Sequence, residues 1–250
     1  MDISYKDLNI LFEDNHILVV VKPQGVPSQE DRSGDPDMVN LLKQYLKEKY
    51  NKPGEAYLGL VHRLDRPTGG VMVFAKTSKA AERLNEQKEN GNFEKKYLCI
   101  VEGEIINKHG ELKNSLKQYK DNESIKVVPI AEEGAKEAVL EYNLWDIKNH
   151  FSLLQIFLET GRKHQIRVQM ATIGHPIVGD YRYGNASKYK MKLPLCLWAY
   201  ELKFAHPISK KPMVFRVYPP EETPWTLFNI NNFLSINMKN AKRDEKKDEE

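Results

Sequence analysis

Several devices that would mark a secreted, membrane-bound or cofactor-dependent protein are missing from this chain of 250 residues. It has only two cysteines, Cys99 and Cys196, too few for a disulfide framework, and no Cys-x-x-Cys pair of the kind that holds zinc. No apolar run approaches the roughly 20 residues needed to cross a bilayer. The N-terminus, Met1-Asp2-Ile3-Ser4-Tyr5-Lys6, lacks the basic-then-apolar order of a signal peptide. A cytoplasmic, reducing location is therefore expected. There is no His-Glu-x-x-His, no Gly-x-Gly-x-x-Gly, no phosphate-binding P-loop and no Gly-x-Ser-x-Gly elbow. These absences argue against a metal, a nucleotide cofactor and a serine nucleophile. Neither sign of charge dominates: 38 Lys and Arg face 35 Asp and Glu, a net of +3. The stretch from Ala241 to Glu250 carries five acids and four bases and no large apolar residue. We expect it to be a disordered tail behind one domain over 1–240.

What is present is a regular alternation of short elements. Leu8, Ile10 and Phe12 alternate, and Ile17 to Val21 is an apolar run, so residues 8–23 read as two strands. Asp37 is a good cap for a helix with apolar residues at Met38, Leu41, Leu42, Tyr45 and Leu46. The run Val71 to Ala75 reads as a strand. Ser78 is placed to cap a second helix containing Ala80, Ala81 and Leu84. Lys95 to Val101 alternates as a strand. Residues 104–136 are polar and read as hairpins or loops, with turns at Lys108-His109-Gly110 and Glu132-Glu133-Gly134. Residues 138–158 read as a hairpin turning over Asp146 to His150. Ile166, Met170 and Ile173 have helical spacing, ended by Gly174 and Pro176; Arg162 then lies at the helix start and Arg167 about one turn in. Leu195 to Phe204 and Met213 to Tyr218 read as two more strands. Strands outnumber helices and mostly form hairpins, an α+β pattern.

The stretch His62-Arg63-Leu64-Asp65-Arg66-Pro67-Thr68-Gly69-Gly70 sets one carboxylate between two guanidinium groups on a loop leading into a strand. Alone it reads equally well as a solvated charge cluster. Loop Arg and Asp residues recur at 159–167 and 177–184, beside strand ends, so the three groups can meet at one cleft. A carboxylate beside a guanidinium stays ionised and is a poor acid at neutral pH. Hydrolysis of a glycosidic bond usually needs a second carboxylate. Glu159 and Asp180 are available, but nothing around them suggests a raised pKa. One ionised Asp suits a reaction at a sugar carbon in which no water enters. His62 and Asp65 stand three apart without a third ligand, so a metal site is not expected. Tyr97, judged on spacing alone, is a core aromatic. Arg63 and Arg66 read either as solvated charges or, beside a cleft, as groups that bind phosphate and stack on bases.

The stretch 62–70 resembles the His-Arg-Leu-Asp-Arg-x-Thr-Ser-Gly signature of the RluA-type pseudouridine synthases. Val21-Lys22-Pro23-Gln24-Gly25 resembles that family's Lys-Pro-x-Gly motif, and Lys96-Tyr97-Leu98 its Lys-x-Tyr strand. Thr160-Gly161-Arg162-Lys163-His164-Gln165-Ile166-Arg167 resembles its Thr-Gly-Arg-x-His-Gln-Ile-Arg motif. Gly174-His175-Pro176-Ile177-Val178-Gly179-Asp180 and Tyr183-Gly184 follow in the family's order. The resemblance runs from about Leu8 to Tyr218. It implies a mixed, largely antiparallel sheet flanked by helices and loops, with a central catalytic cleft. It also implies isomerisation of uridine to pseudouridine in ribosomal or transfer RNA, by a monomer, with neither cofactor nor metal. By the resemblance Asp65 is the catalytic aspartate, attacking C1′ of the ribose or removing the C2′ proton. Tyr97 packs on the base and is placed to remove the C5 proton, and Arg167 pairs with the aspartate. Arg63 fills the gap left when the uridine flips out, and Leu197 touches the flipped base. Arg66, Arg162, His164 and Gln165 are further expected RNA contacts. Three departures stand out: Gly69-Gly70 where the signature often has Ser-Gly, and Gln169 and Trp198 where histidines are common. With the resemblance already beginning at Leu8, no basic N-terminal RNA-binding domain is expected, and RNA choice is expected to come from the catalytic body, its loops or the tail. A silent RNA-binding protein on the same scaffold, or a glycosylase releasing free uracil, are the rival readings.

Overall fold

The computed structural model describes residues 3–51, 53–119, 124–184 and 193–231. The tail expected from Ala241 onward lies outside the described residues. Eleven strands join in one sheet: β1 (Asn9–Glu13), β2 (Ile17–Lys22), β3 (Gly59–Leu60), β4 (Gly69–Ala75), β5 (Glu94–Glu102), β6 (His109–Gln118), β7 (Ile125–Val128), β8 (Lys136–Lys148), β9 (Phe151–Leu158), β10 (Leu197–Ala205) and β11 (Pro212–Arg216). Among the described residues three α-helices accompany them: α1 (Met38–Lys49), α2 (Ser78–Glu89) and α3 (Gln165–Thr172). The strand order is β1-β2-β4-β10-β5-β9-β8-β6-β7, with β3 on β4 and β11 on β10.

The apolar run of β2 and the strand after the 62–70 stretch are buried on both faces, which is why neither alternates with polar residues. Leu18, Val20, Met72 and Phe74 meet Met38, Leu41, Leu42 and Leu46 of α1. On the opposite face Ile17, Val19, Val71 and Val73 meet Ala80 and Leu84 of α2. Asp37 caps α1 by accepting from the Val39 and Asn40 amides at 3.0 and 3.2 Å. Thr77 caps α2, one residue before the expected Ser78, because its hydroxyl accepts from the Ala80 amide at 3.2 Å while Ser78 already has helical backbone.

The polar stretch 104–136 contains two real strands, β6 and β7, and His109-Gly110 begins β6 where a turn was expected. Its polar residues face outward on a strand stacked beside β8, which hides the sheet from a hydrophobicity pattern. The β8–β9 turn is tighter than the sequence suggested: Asn149 and His150 alone make it, both left-handed (φ 53° and 61°), and Asp146 to Lys148 stay paired in β8.

One feature of topology positions the site. Among the described residues all strand pairs are antiparallel except β4 with β10, which run parallel through Trp198–Gly69 and Ala199–Gly70. Beyond that short junction the strands part, and β11 takes the place of β4 beside β10 from Glu201 onward. Gly70 permits the close approach. Its φ is +125°, and a Cβ there would stand 2.2 Å from the Ala199 carbonyl oxygen. A Cβ on Gly69 would stand 2.2 Å from the Trp198 ring. The two departures from the family signature thus answer one another: the Trp198 indole fills the space a serine at 69 would need. Gln169, the other departure, is buried and donates to the Leu112 and Ala138 carbonyls, tying α3 to β6 and β8.

Candidate active site

The loop before β4 is held from the N-terminal side. The Gly25 amide donates to the Arg66 carbonyl at 2.9 Å, and Gln24 Nε2 donates to the carbonyls of Pro67 and Leu195. Ser28 Oγ donates to the Leu64 carbonyl and accepts from its amide. Lys22 Nζ, fully buried, donates to the carbonyls of Pro23 and Arg66 at 3.0 and 3.1 Å. Burial pulls this lysine down to about 7, partly opposed by the nearby Asp65 carboxylate. The Lys-Pro-x-Gly segment therefore fixes the loop that presents Asp65. The loop closes on itself through the Thr68 amide, which donates to the Asp65 carbonyl at 2.9 Å.

Arg167 approaches Asp65 from α3. It is the third residue of the helix rather than a full turn in, because Gln165 is the first. Its Nε donates to Asp180 Oδ2 at 2.7 Å and its Nη2 to Asp180 Oδ1 at 2.8 Å, leaving Nη1 at 3.4 Å from Asp65 Oδ2. The guanidinium also lies over the Tyr183 ring, 5.2 Å from its centroid. Burial alone would raise Asp180, but Arg167 and the amides of Arg182 and Tyr183 outweigh it and hold the carboxyl below its ordinary value. Asp180, named from sequence only as a possible second acid, is the clamp that aims Arg167. The fork geometry of a bidentate Arg–carboxylate pair fixes the orientation of the free amino group.

His164 stands on the other side of the same carboxylate, its Nε2 3.8 Å from Asp65 Oδ2 and its Nδ1 2.7 Å from the Tyr183 hydroxyl. Burial draws it down to about 4, against the pull of Asp65, so the imidazole is neutral at neutral pH. Tyr97 on β5 and Leu197 at the start of β10 share a small recess with Asp65 and Arg167. They lie on one sheet face, since Tyr97 pairs with Ala199 and Cys99 with Leu197. Tyr97 is in the core and also lines the recess. Burial, helped by the Asp65 charge, pushes its phenol up, so it is protonated at neutral pH.

The recess opens to a cleft of about 1420 Å³ whose lining includes Arg63, Asp65, Arg66, Arg162, His164 and Arg182. Arg63 is exposed at its mouth and makes no hydrogen bond or ion pair with another described residue. Arg162 donates from Nε to the Glu137 carbonyl at 2.8 Å and keeps the rest of its guanidinium exposed. Two of the expected RNA contacts are also engaged within the fold. Gln165 is buried at the wall of the recess, donating to the Val139 carbonyl and accepting from Thr160 Oγ1 and the Arg162 amide. Arg66 donates to the Gly25 carbonyl and Ser33 and pairs with Asp35, stapling the 25–35 loop to the Asp65 loop. His62 faces the core, where its Nε2 accepts from the Val73 amide at 3.1 Å. Among the described residues no group of three or more His, Cys, Asp or Glu is placed to hold a metal ion, and no helix is long and apolar enough to cross a membrane.

Comparison with known proteins shows the family. Residues 16–172 match the family model described as RNA pseudouridylate synthase. The chain belongs to that family and is an RNA pseudouridine synthase, an isomerase. Among curated relatives, it is 37% identical over 228 residues to an Aquifex aeolicus protein named only as an uncharacterized RNA pseudouridine synthase, covering 86% of this chain and 70% of that one. It is 35% identical over 233 residues to the ribosomal large subunit pseudouridine synthase D of Xanthomonas campestris, covering 86% of this chain and 67% of that one. Among solved structures, the human protein called RNA pseudouridylate synthase domain containing 4 superposes with a TM-score of 0.71 at 24% identity, over 85% of this chain and 88% of that one. That likeness establishes the α+β fold.

Proposed function

We propose that this synthase isomerises uridine in ribosomal RNA, with Asp65 as the catalytic carboxylate. The observation that carries the reading is the Asp180–Arg167–Asp65 chain. A guanidinium locked on one carboxylate aims its remaining amino group at a second carboxylate, which faces the recess between Tyr97 and Leu197. The named relatives that act on the large ribosomal subunit support the choice of RNA.

In this reading the target uridine leaves its stack and enters the recess, its uracil held between Tyr97 and Leu197. Arg63, unpaired at the mouth, fills the vacated gap; flipping costs a few kcal/mol and an inserted side chain offsets part of it. Asp65 then attacks C1′ or takes the C2′ proton, and either step breaks the C1′–N1 bond. The freed uracil turns and joins C1′ through C5, displacing Asp65 from C1′ on the first route or, on the second, as Asp65 returns its proton to C2′. The C5 proton leaves and N1 gains a proton, so no atom is lost or added overall. A phenol held protonated must pass its own proton on as it receives another, so Tyr97 acts at this step as a relay. The monomeric state is part of the same proposal.

The test is incubation of the full chain with transcribed large-subunit ribosomal RNA, followed by cyanoethylation and mass analysis of the nucleosides. Pseudouridine should appear at a defined position. Modification of transfer RNA alone would overturn the ribosomal assignment, and free uracil in place of pseudouridine would make the protein a glycosylase.

A further inference from the structure

Lys95 lies two residues before Tyr97 on β5 and so shares its sheet face. It lines the recess together with Asp65, Tyr97 and Leu197. Its Nζ reaches the loop before α3, where a Cβ on Gly161 would stand 3.1 Å from it. The neighbouring Lys96 points to the other face and is paired with Glu201 at 2.8 Å. Lys95 has no such partner: it makes no hydrogen bond or ion pair with another described residue. The charged group felt most strongly nearby is another cation, Lys88. Burial and that neighbour draw Lys95 down to about 8, which still leaves it mostly charged at neutral pH.

A desolvated ammonium with no counter-charge is costly. Folding does not require it here, since a methionine or glutamine of similar length would fill the same space. An ammonium kept in that condition on the wall of a binding recess is matched to an anion that arrives with the substrate. Along the strand Lys95 is about 7 Å from Tyr97. Arg63 and Arg162 line the same recess, so a phosphate flanking a uracil packed on Tyr97 would enter a cationic wall to which Lys95 belongs. We propose that Lys95 binds an RNA backbone phosphate flanking the target uridine and so sets the register of that nucleotide over Asp65. The inference rests on the RNA reading above and adds a specific contact to it.

The full chain carrying Lys95→Gln or Lys95→Arg is compared with the parent by titrating a fluorescent single-stranded RNA of about 15 nucleotides. The RNA contains the uridine modified in the ribosomal assay or, should none be modified, is oligouridylate. Binding is measured across a series of salt concentrations. Losing one phosphate contact should weaken binding about tenfold and flatten the slope of log Kd against log salt by about 0.7. Lys95→Arg should keep the slope. On RNA with a methylphosphonate next to the target uridine, the parent should lose the same increment and Lys95→Gln should lose nothing more. The melting temperature of Lys95→Gln should not fall, because the variant removes an uncompensated charge. If it does fall, Lys95→Arg and the methylphosphonate series on the parent still decide the point. An unchanged salt slope in Lys95→Gln, or a loss confined to kcat, would overturn the proposal in favour of a contact to the uracil carbonyls. A flattened slope without any pseudouridine formed would instead retain the contact and reject the ribosomal reading.

Discussion

The chemistry proposed at Asp65 depends on side chains that differ sharply in what they can be exchanged for. Asp65→Asn keeps the shape and removes the charge. It should lower turnover by about a thousandfold or more, while RNA affinity, set by phosphate and base contacts, stays within a few-fold. Single-turnover assays beside a binding titration separate the two, and near-normal turnover would remove Asp65 from the mechanism. Asp180 touches no reacting atom, yet both of its oxygens hold Arg167. Asp180→Asn replaces an acceptor with an amide that donates toward the guanidinium. The remaining buried cation should cost about 3–5 kcal/mol in stability, and kcat should fall more than KM changes. Asp180→Glu tests the positioning role where the Asn variant melts too low to assay. Equal losses in kcat and in RNA binding would show Asp180 to be merely structural.

At the scale of elements, sequence periodicity carried far in some places and little in others. The α1 stripe and the β2 and β4 runs were legible because burial dictates their composition. Residues 104–136 were not, since β6 and β7 lie toward one end of the sheet and much of their surface is solvated. The site was legible as motifs, but its joinery was not. Nothing in spacing says that Asp180 grips Arg167, that Gln165 is consumed inside the fold, or that Arg66 staples a neighbouring loop. Those assignments depend on which groups meet across the chain, a property of topology. The junction of β4 with β10 shows the same limit, because Gly69 and Trp198 each look like an isolated departure until the indole is seen over the glycine. Gly69→Ala should therefore cost about 1–3 kcal/mol through overpacking. Trp198→Ala in the same chain should recover part of that cost, a coupling that a double-mutant cycle in chemical denaturation reads directly. Additive losses would mean the backbone, rather than the indole, sets the limit at 69. Gly70→Ala should find no such relief, since its neighbour is the Ala199 backbone.

For the whole molecule, the buried titratable groups together set how stability varies with pH. On the acid side, Glu13 is nearly buried and would be raised by that burial. Lys49, Lys76, Tyr50 and Tyr45 converge on it and bring it down to about 2. A depressed carboxyl contributes stability above its unfolded pKa and loses it as pH falls through the folded one, so this contribution fades from about pH 4.5 to about 2. Asp180 behaves in the same direction. His62 and His164, drawn down by burial to about 3 and about 4, add to the loss, because the unfolded chain takes up their protons first as pH drops below about 6.5. On the alkaline side the signs oppose. Lys22 and Lys95 sit at about 7 and about 8, below an unfolded lysine, so the unfolded chain binds more protons and stability rises from about pH 7 upward. Cys196, pushed up to about 12 by burial, and Cys99 and Tyr97, also raised, reverse the trend once unfolded thiols and phenols ionise near pH 9. The melting temperature should therefore peak at about pH 8–9, above the range usual for proteins. Lys22→Met should flatten the rise between about pH 7 and 9 while leaving the acid limb intact, and Glu13→Gln should do the converse, matching the parent only near pH 2. Thermal denaturation of the parent and both variants over this range is the measurement. A peak below pH 7, or an alkaline limb unchanged by Lys22→Met, would mean that Lys22 keeps its charge inside the fold and supports the Asp65 loop as a cation rather than as a neutral amine.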